Sequence, residues 1–255
     1  MALASAVLWC YSLIKPQGRF PPEHRQTVVL AGICLGCHFA CFFGAVKLTS
    51  IANATVLGTI APVFTVLIEA VFLKRKLSKQ ILLGIFTALI GAIIIHDRGF
   101  NLLENSAIGN SLALLGSFFI ALVFILAEKI RHNTSTVVYS RTIYFFAACT
   151  LFVLSFIMGK SVFSFTQIDF SLFLFLAAVP TIMGHSVLSY IVKFIPPSVV
   201  TSVPLGEPII ASFFALVLFA EQIPALTFLA GFFIFIGLYL TISGGIRNQN
   251  YHKPV

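Results

Sequence analysis

Nine apolar runs follow one another along this chain, at roughly 1–14, 26–46, 51–73, 80–96, 108–127, 138–158, 170–192, 199–220 and 225–243. A helix crossing the hydrocarbon core of a bilayer needs about 20 residues, with a range of about 17–25. Lipid offers no partner to a backbone N–H or C=O, so runs of this length can satisfy themselves only as helices or within a closed barrel. Eight of the nine runs meet that length or nearly do; the first is short, and the run at 80–96 is marginal unless it extends back to Leu77. Of 255 residues, 59% are hydrophobic and only 9% charged, too few to cover a soluble domain. The expected fold is an all-α integral membrane protein with about nine transmembrane helices.

Charge placement orients the helices. With the C-terminus cytoplasmic, the inner segments hold Lys15, Arg19, Arg25, Lys74, Arg75, Lys76, Lys79, Lys129, Arg131, Arg141, Lys193, Arg247 and Lys253. The outer segments hold only Lys47, Arg98 and Lys160. Basic residues concentrate on the cytoplasmic side of membrane proteins, so this asymmetry supports both the orientation and the segmentation. Nine spans then put the N-terminus outside. The net charge of +8 is therefore sorted into loops and does not form a nucleic-acid surface. All five Cys (10, 34, 37, 41 and 149) lie in apolar segments, where disulfides are not expected. The first fourteen residues lack the basic start and cleavage site of a signal peptide.

The stretch Ser198–Pro224 carries Glu207 near its middle, followed at once by Pro208. A carboxylate at mid-bilayer depth costs about 2.5–3.5 kcal/mol on insertion scales. Proline there removes an N–H and breaks the helix. Both features suit a helix bordering a protein-lined cavity. The same pattern occurs 146 residues earlier, with Pro62 against Pro208, Thr55 against Thr201 and Arg75 against Glu221. Each copy is followed by a helix with small residues seven apart, Gly84 and Gly91 in one, Ala230 and Gly237 in the other. The first proline helix ends inside at Lys74-Arg75-Lys76 and the second ends outside at Glu221, so the copies run in opposite directions. Inverted repeats of this kind build alternating-access cavities. The copies are unequal, because three spans precede the second proline helix and only two the first. Either the chain is a nine-span protein or Met1 is an internal methionine of a longer frame.

These residues resemble the drug/metabolite transporter superfamily, and within it the EamA type. The resemblance is carried by NATVLGTIAPVFTVLIEAVFLKRKLSKQILLGIFTALIGAIII in one half and SVVTSVPLGEPIIASFFALVLFAEQIPALTFLAGFFIFIGLYL in the other. Arg75 departs from it, standing where the family usually has a Glu. The resemblance implies two inverted five-helix repeats, here 4+5, because MALASAVLWC looks like the start of the family's second helix. The domains expected are a first repeat at 1–96, an external connection at 97–107, a second repeat at 108–244 and a cytoplasmic tail at 245–255. It further implies a bacterial cytoplasmic (inner) membrane location and export or import of small metabolites.

Candidate site residues follow from polarity inside apolar helices. Glu207 either binds a cationic group or carries a proton, or it bonds a neighbouring helix as a protonated structural acid. Thr181, His185 and Ser189 recur every fourth residue on one face, which usually points into a bundle; they line a cavity, with His185 near Glu207, or they glue helices. Asn53, Thr55, Thr201 and Ser202 line the cavity or satisfy backbone freed near Pro62 and Pro208. Glu69 and Arg75 are six apart and not facing, so Glu69 is expected to pair with Lys76 or another helix. Gly32, Gly36, Ala40 and Gly44 form a small-residue stripe for close packing. CLGCH (Cys34–His38) matches a haem-attachment pattern but lies in mid-helix; with Cys41 it also offers metal-type ligands on one face. Packing is the reading taken, with His38 kept as a lesser cavity residue and no metal or cofactor expected. Asn53-Ala54-Thr55 is a glycosylation sequon placed inside the membrane, and is set aside.

The leading function is secondary transport. The chain has no G-x-x-x-x-G-K-[ST] loop for ATP, and neither HExxH nor a nucleophile elbow for a membrane-embedded enzyme. The alternative is a non-transporting remnant with one wall of the cavity open. Expected partners are a small-molecule substrate and the lipid bilayer, without nucleic acid; a homodimer is compatible with this architecture.

Overall fold

The computed structural model describes residues 1–95, 107–160, 165–219 and 225–248. Arg98, most of the 97–107 connection, Glu221 and the end of the tail with Lys253 lie outside the described residues. Within them every regular element is helical: α1 (Ala2–Ile14), α2 (Arg25–Leu48), α3 (Ile51–Gly58), α4 (Ala61–Val71), α5 (Lys79–Ile95), α6 (Ala107–Arg131), α7 (Thr136–Ile157), α8 (Gln167–Leu176), a π-helical segment (Ala177–His185), α9 (Ser186–Ile191), α10 (Pro197–Val200), a 3₁₀ turn (Val203–Gly206), α11 (Glu207–Phe219) and α12 (Ala225–Asn248). Six segments among the described residues are long and apolar enough to cross a membrane: 22–48, 53–71, 107–131, 136–157, 167–191 and 225–246. The other three apolar runs are a 13-residue helix, a 17-residue helix and a segment broken into α10, the 3₁₀ turn and α11. The chain is a multi-pass helical membrane protein.

Side chains explain where these helices start and stop. Ser50 and Ser135 cap α3 and α7 by accepting the N–H of Asn53 and Val138. Thr166 and Asp169 form a capping box at α8. After α4, Lys74 adopts a left-handed conformation with φ 51°. The chain turns back there, so the Arg75 N–H reaches the Glu69 carbonyl at 2.9 Å. The Arg75 guanidinium also donates to Glu69 Oε1 at 3.1 Å. This corrects the sequence expectation that the two do not face each other. A continuous helix would have kept them apart; the turn removes that constraint.

The chain divides into two compact units, Met1–Ala40 with Leu122–Phe194, and Cys41–Ala121 with Ile195–Val255. Two of the three divisions fall inside α2 and α6, and the third lies between α9 and α10. In the first unit α2 packs on α7 through glycine. A Cβ on Gly36 would stand 2.6 Å from Thr150 Cβ and 3.0 Å from the Ala147 carbonyl, and one on Gly32 would stand 3.1 Å from the Ile143 carbonyl. Helices approach this closely only where the side chain is absent. Gly36→Leu is expected to lower the melting temperature or the yield of folded protein, with no change of substrate preference. Normal melting with altered selectivity would move Gly36 out of packing. α1 also lies on α7, with the Ser5 hydroxyl donating to the Arg141 carbonyl at 2.9 Å and the Arg141 guanidinium 4.2 Å from the centre of the Trp9 ring.

In the second unit α5 and α12 form the closest pairing. A Cβ on Gly84 would meet the Gly237 carbonyl at 2.6 Å, and one on Gly91 would meet the Ala230 carbonyl at 2.7 Å. One on Gly237 would meet the Gly84 carbonyl at 2.6 Å and Ala88 Cβ at 2.7 Å. Polar side chains add to this unit from inside. Asn110 on α6 accepts from Thr49 Oγ1 at 2.8 Å and from Asn53 Nδ2 at 3.1 Å. α10 meets α4 through Thr201 Oγ1, which donates to Thr65 Oγ1 at 3.1 Å.

Candidate functional site: three broken helices

Helix breaks leave carbonyls without N–H partners, and three breaks among the described residues are repaired by side chains. The first lies between α3 and α4, ahead of Pro62, which has no N–H to give. Ser117 on α6 approaches the Leu57 carbonyl at 2.5 Å and the Gly58 carbonyl at 2.7 Å. Thr59 donates to the Val56 carbonyl at 2.9 Å. Of the candidates here, Asn53 is fully buried and tied to Asn110, and the Thr55 hydroxyl donates to the Ile51 carbonyl at 2.7 Å.

The second break runs from α10 through the 3₁₀ turn to α11. Thr201 and Ser202 are buried, and their hydroxyls donate to the carbonyls of Pro197 (2.9 Å) and Val199 (2.7 Å). Both therefore perform the backbone-satisfying role that the sequence left open. Glu207 opens α11 with Pro208 directly behind it. Its side chain is exposed rather than packed within the unit. A carboxylate at a helix start is favoured by the helix dipole.

The third break is in the first unit. Pro180 interrupts the span 167–191, and the helix passes it by widening into a π segment. The Ser186 N–H donates to the carbonyl of Thr181, five residues back. That carbonyl also accepts from Tyr144 Oη on α7 at 2.9 Å, and Tyr144 Oη lies 2.9 Å from Ser186 Oγ. Thr181 spends its hydroxyl on the Leu176 carbonyl at 2.8 Å. The Ser189 carbonyl accepts from Arg131 Nε at 2.8 Å. His185 meets Phe39 of α2, with ring centroids 5.4 Å apart. His185 thus lies in the first unit with His38, and Glu207 belongs to the second. CLGCH lies within the uninterrupted helix α2.

Four residues that matter locally escaped the sequence reading. Arg131 was counted only as an inner-loop cation. It is 2% exposed, and besides Ser189 it donates to the Thr134 carbonyl and to Thr136 Oγ1. Tyr144, Asn110 and Ser117 carry no spacing signal. Only Asn110, an amide within an apolar run, could have been found, by the rule that polar groups inside membranes have work to do.

Apolar spans broken at Pro62, Pro180 and Pro204–Pro208, with their freed carbonyls satisfied by side chains, define a polytopic helical membrane protein. The EamA-like transporter family model matches residues 1–96 and 107–243, and the chain belongs to that family. Over 105 residues it is 29% and 28% identical to proteins named uncharacterized transporter from two strains of Helicobacter pylori. Those matches cover 41% of this chain and 33% of each relative, so the chain spans about a third of the length of the curated relatives it matches. A solved crystal structure shares the fold with a TM-score of 0.77 at 17% identity, covering 94% of this chain and 84% of that one.

Proposed function

We propose that this protein is a secondary transporter that moves small metabolites by alternating access, rather than an enzyme. In this reading nine segments cross a bacterial cytoplasmic membrane, with the C-terminus inside. Residues 1–96 and 108–244 are inverted repeats of four and five spans. Its partners are a small-molecule substrate and the surrounding lipid. Glu207, His185 and His38 are its ionisable site residues. Thr181 and Ser189 shape the broken helix around Pro180, and Asn53, Thr55, Thr201 and Ser202 shape those around Pro62 and Pro208.

The observation that carries the reading is an exchange symmetry in the α5–α12 pairing. The internal repeat relates Gly84 to Ala230 and Gly91 to Gly237. Swapping the copies turns the Gly84–Gly237 approach into the Ala230–Gly91 approach, and both are present. The Gly237–Ala88 approach likewise becomes Gly91–Ile234, also present. An inverted duplication requires this self-mapping, and an antiparallel helix pair whose small residues recur every seven positions also allows it.

Two measurements test the proposal. Single cysteines replacing Lys76 and Lys129, both exposed, are expected to react with an impermeant maleimide only from the cytoplasmic side, and one replacing Lys160 only from outside. The reverse or a mixed pattern sinks the inverted-repeat reading. Proteoliposomes loaded with radiolabelled amino acids and nucleobases are expected to exchange at least one of them faster than protein-free liposomes. Folded protein that moves none of them would make the chain a non-transporting remnant.

A further inference from the structure

The π-helical segment does more than pass Pro180. Such widened turns recur at functional positions because they re-aim a side chain. Here the segment ends on His185, whose ring meets Phe39 at 5.4 Å and an interplanar angle of 71°. His38 meets the same Phe39 ring at 5.0 Å and 64°. One aromatic ring therefore serves two imidazoles from adjacent elements. A cation within about 6 Å of an aromatic ring is attracted to its face. Two imidazolium ions side by side repel, so the pair takes one proton between them.

We propose that His38, Phe39 and His185 form a proton-binding site within the first unit, where the two imidazoles share one proton during the transport cycle. The cycle rests on the transporter reading above; the site rests on the ring geometry. Uptake breaks an O–H bond of an aqueous acid and forms one N–H bond on an imidazole lone pair. Release reverses it, and no oxidant or reductant is involved. Histidine suits this exchange because its unperturbed charge change falls in the physiological pH range.

The surrounding elements bring other titratable groups. On α7, Tyr144 Oη is engaged by the Thr181 carbonyl and Ser186. α1 packs on the π segment and carries exposed Cys10 and Tyr11. α2 itself carries Cys34 and Cys37. On α8, Asp169 is held by Thr166 at the helix start. On α9, Tyr190 turns to Phe194, and Arg131 reaches the Ser189 carbonyl. Thiols and phenols titrate well above imidazole and carboxyls below it. An imidazole-range signal at this place therefore reports the pair.

The test uses protons alone as the ligand. Proteoliposomes of the full chain on a solid-supported membrane receive a jump from about pH 7.5 to about pH 6, across the imidazole range, with no substrate present. Wild type is expected to give a transient charge displacement. His38→Gln and His185→Gln should each remove most of it, and Phe39→Leu, which keeps apolar bulk without the ring, should shift its midpoint. His132→Gln, an exposed histidine elsewhere, should leave it unchanged. A wild-type transient surviving in both pair variants overturns the site. If a variant does not fold, histidine-selective ¹⁵N spectra of wild type decide: linked two-step titration of the two rings supports the pair, and independent titration overturns it. A wild-type transient lost in the pair variants, with no flux of any metabolite, leaves the proton site standing and removes the transporter reading instead.

Discussion

Gly237→Ala is expected to destabilise the protein sharply, although alanine is the better helix former by about 1 kcal/mol. The added Cβ would stand 2.6 Å from the Gly84 carbonyl and 2.7 Å from Ala88 Cβ. Its obstacles are backbone and a Cβ, which cannot rotate away, so α5 and α12 must separate along their length. Overpacking a well-filled core costs typically about 1–3 kcal/mol, occasionally more, and this position belongs at the upper end. At roughly 2–4 °C per kcal/mol for a chain of this size, the melting temperature should fall by roughly 6–12 °C. Gly231→Ala on the same helix is the control, because its Cβ would find nothing nearer than Ile209 at 4.0 Å; it should be neutral or slightly stabilising. Equal melting of the two variants would refute the close α5–α12 approach, and with it the symmetry that supports the repeats.

Glu207→Gln should abolish most transport while leaving folded protein in the membrane. The carboxylate opens α11, is exposed, and sits beside a proline within an apolar segment. A charge at that depth is retained where it faces a cavity or a partner, because lipid would not tolerate it cheaply. Gln keeps the size and the hydrogen bonding and removes titration. If the carboxylate pairs a substrate cation or carries a proton, losing a charge-assisted contact worth about 1.5–3 kcal/mol slows flux roughly ten- to a hundredfold. Wild-type flux should depend on pH, and the variant's profile should be flatter. Flux measured with the labelled metabolite that wild type exchanges decides the matter. A variant with wild-type rate and wild-type pH profile would reject the functional role and leave Glu207 as a structural acid.

Much of the architecture was legible because lipid leaves the backbone so few options. Apolar length located the six long spans, and Pro62 and Pro208 marked the breaks in the spans at 51–73 and 199–220, since a missing N–H is a local property of the sequence; the break at Pro180 went unread. The 146-residue echo paired Gly84 with Ala230 and Gly91 with Gly237 before any contact was known. What each polar residue does was decided by tertiary structure. Thr201 and Ser202 read from the sequence as cavity residues or as backbone partners, and only the fold shows their hydroxyls donating to the carbonyls of Pro197 and Val199. Arg131 looks like a loop cation until it is found buried against Ser189. Glu69 and Arg75 meet only because Lys74 turns the chain back. His38 and His185 are 147 positions apart, and nothing in the sequence links them until Phe39 is found against both rings. Hydropathy and proline act over a few neighbouring residues and can be read in order along the chain. A hydrogen-bond partner is chosen by whichever helix packs alongside, and that choice exists only once the chain has folded.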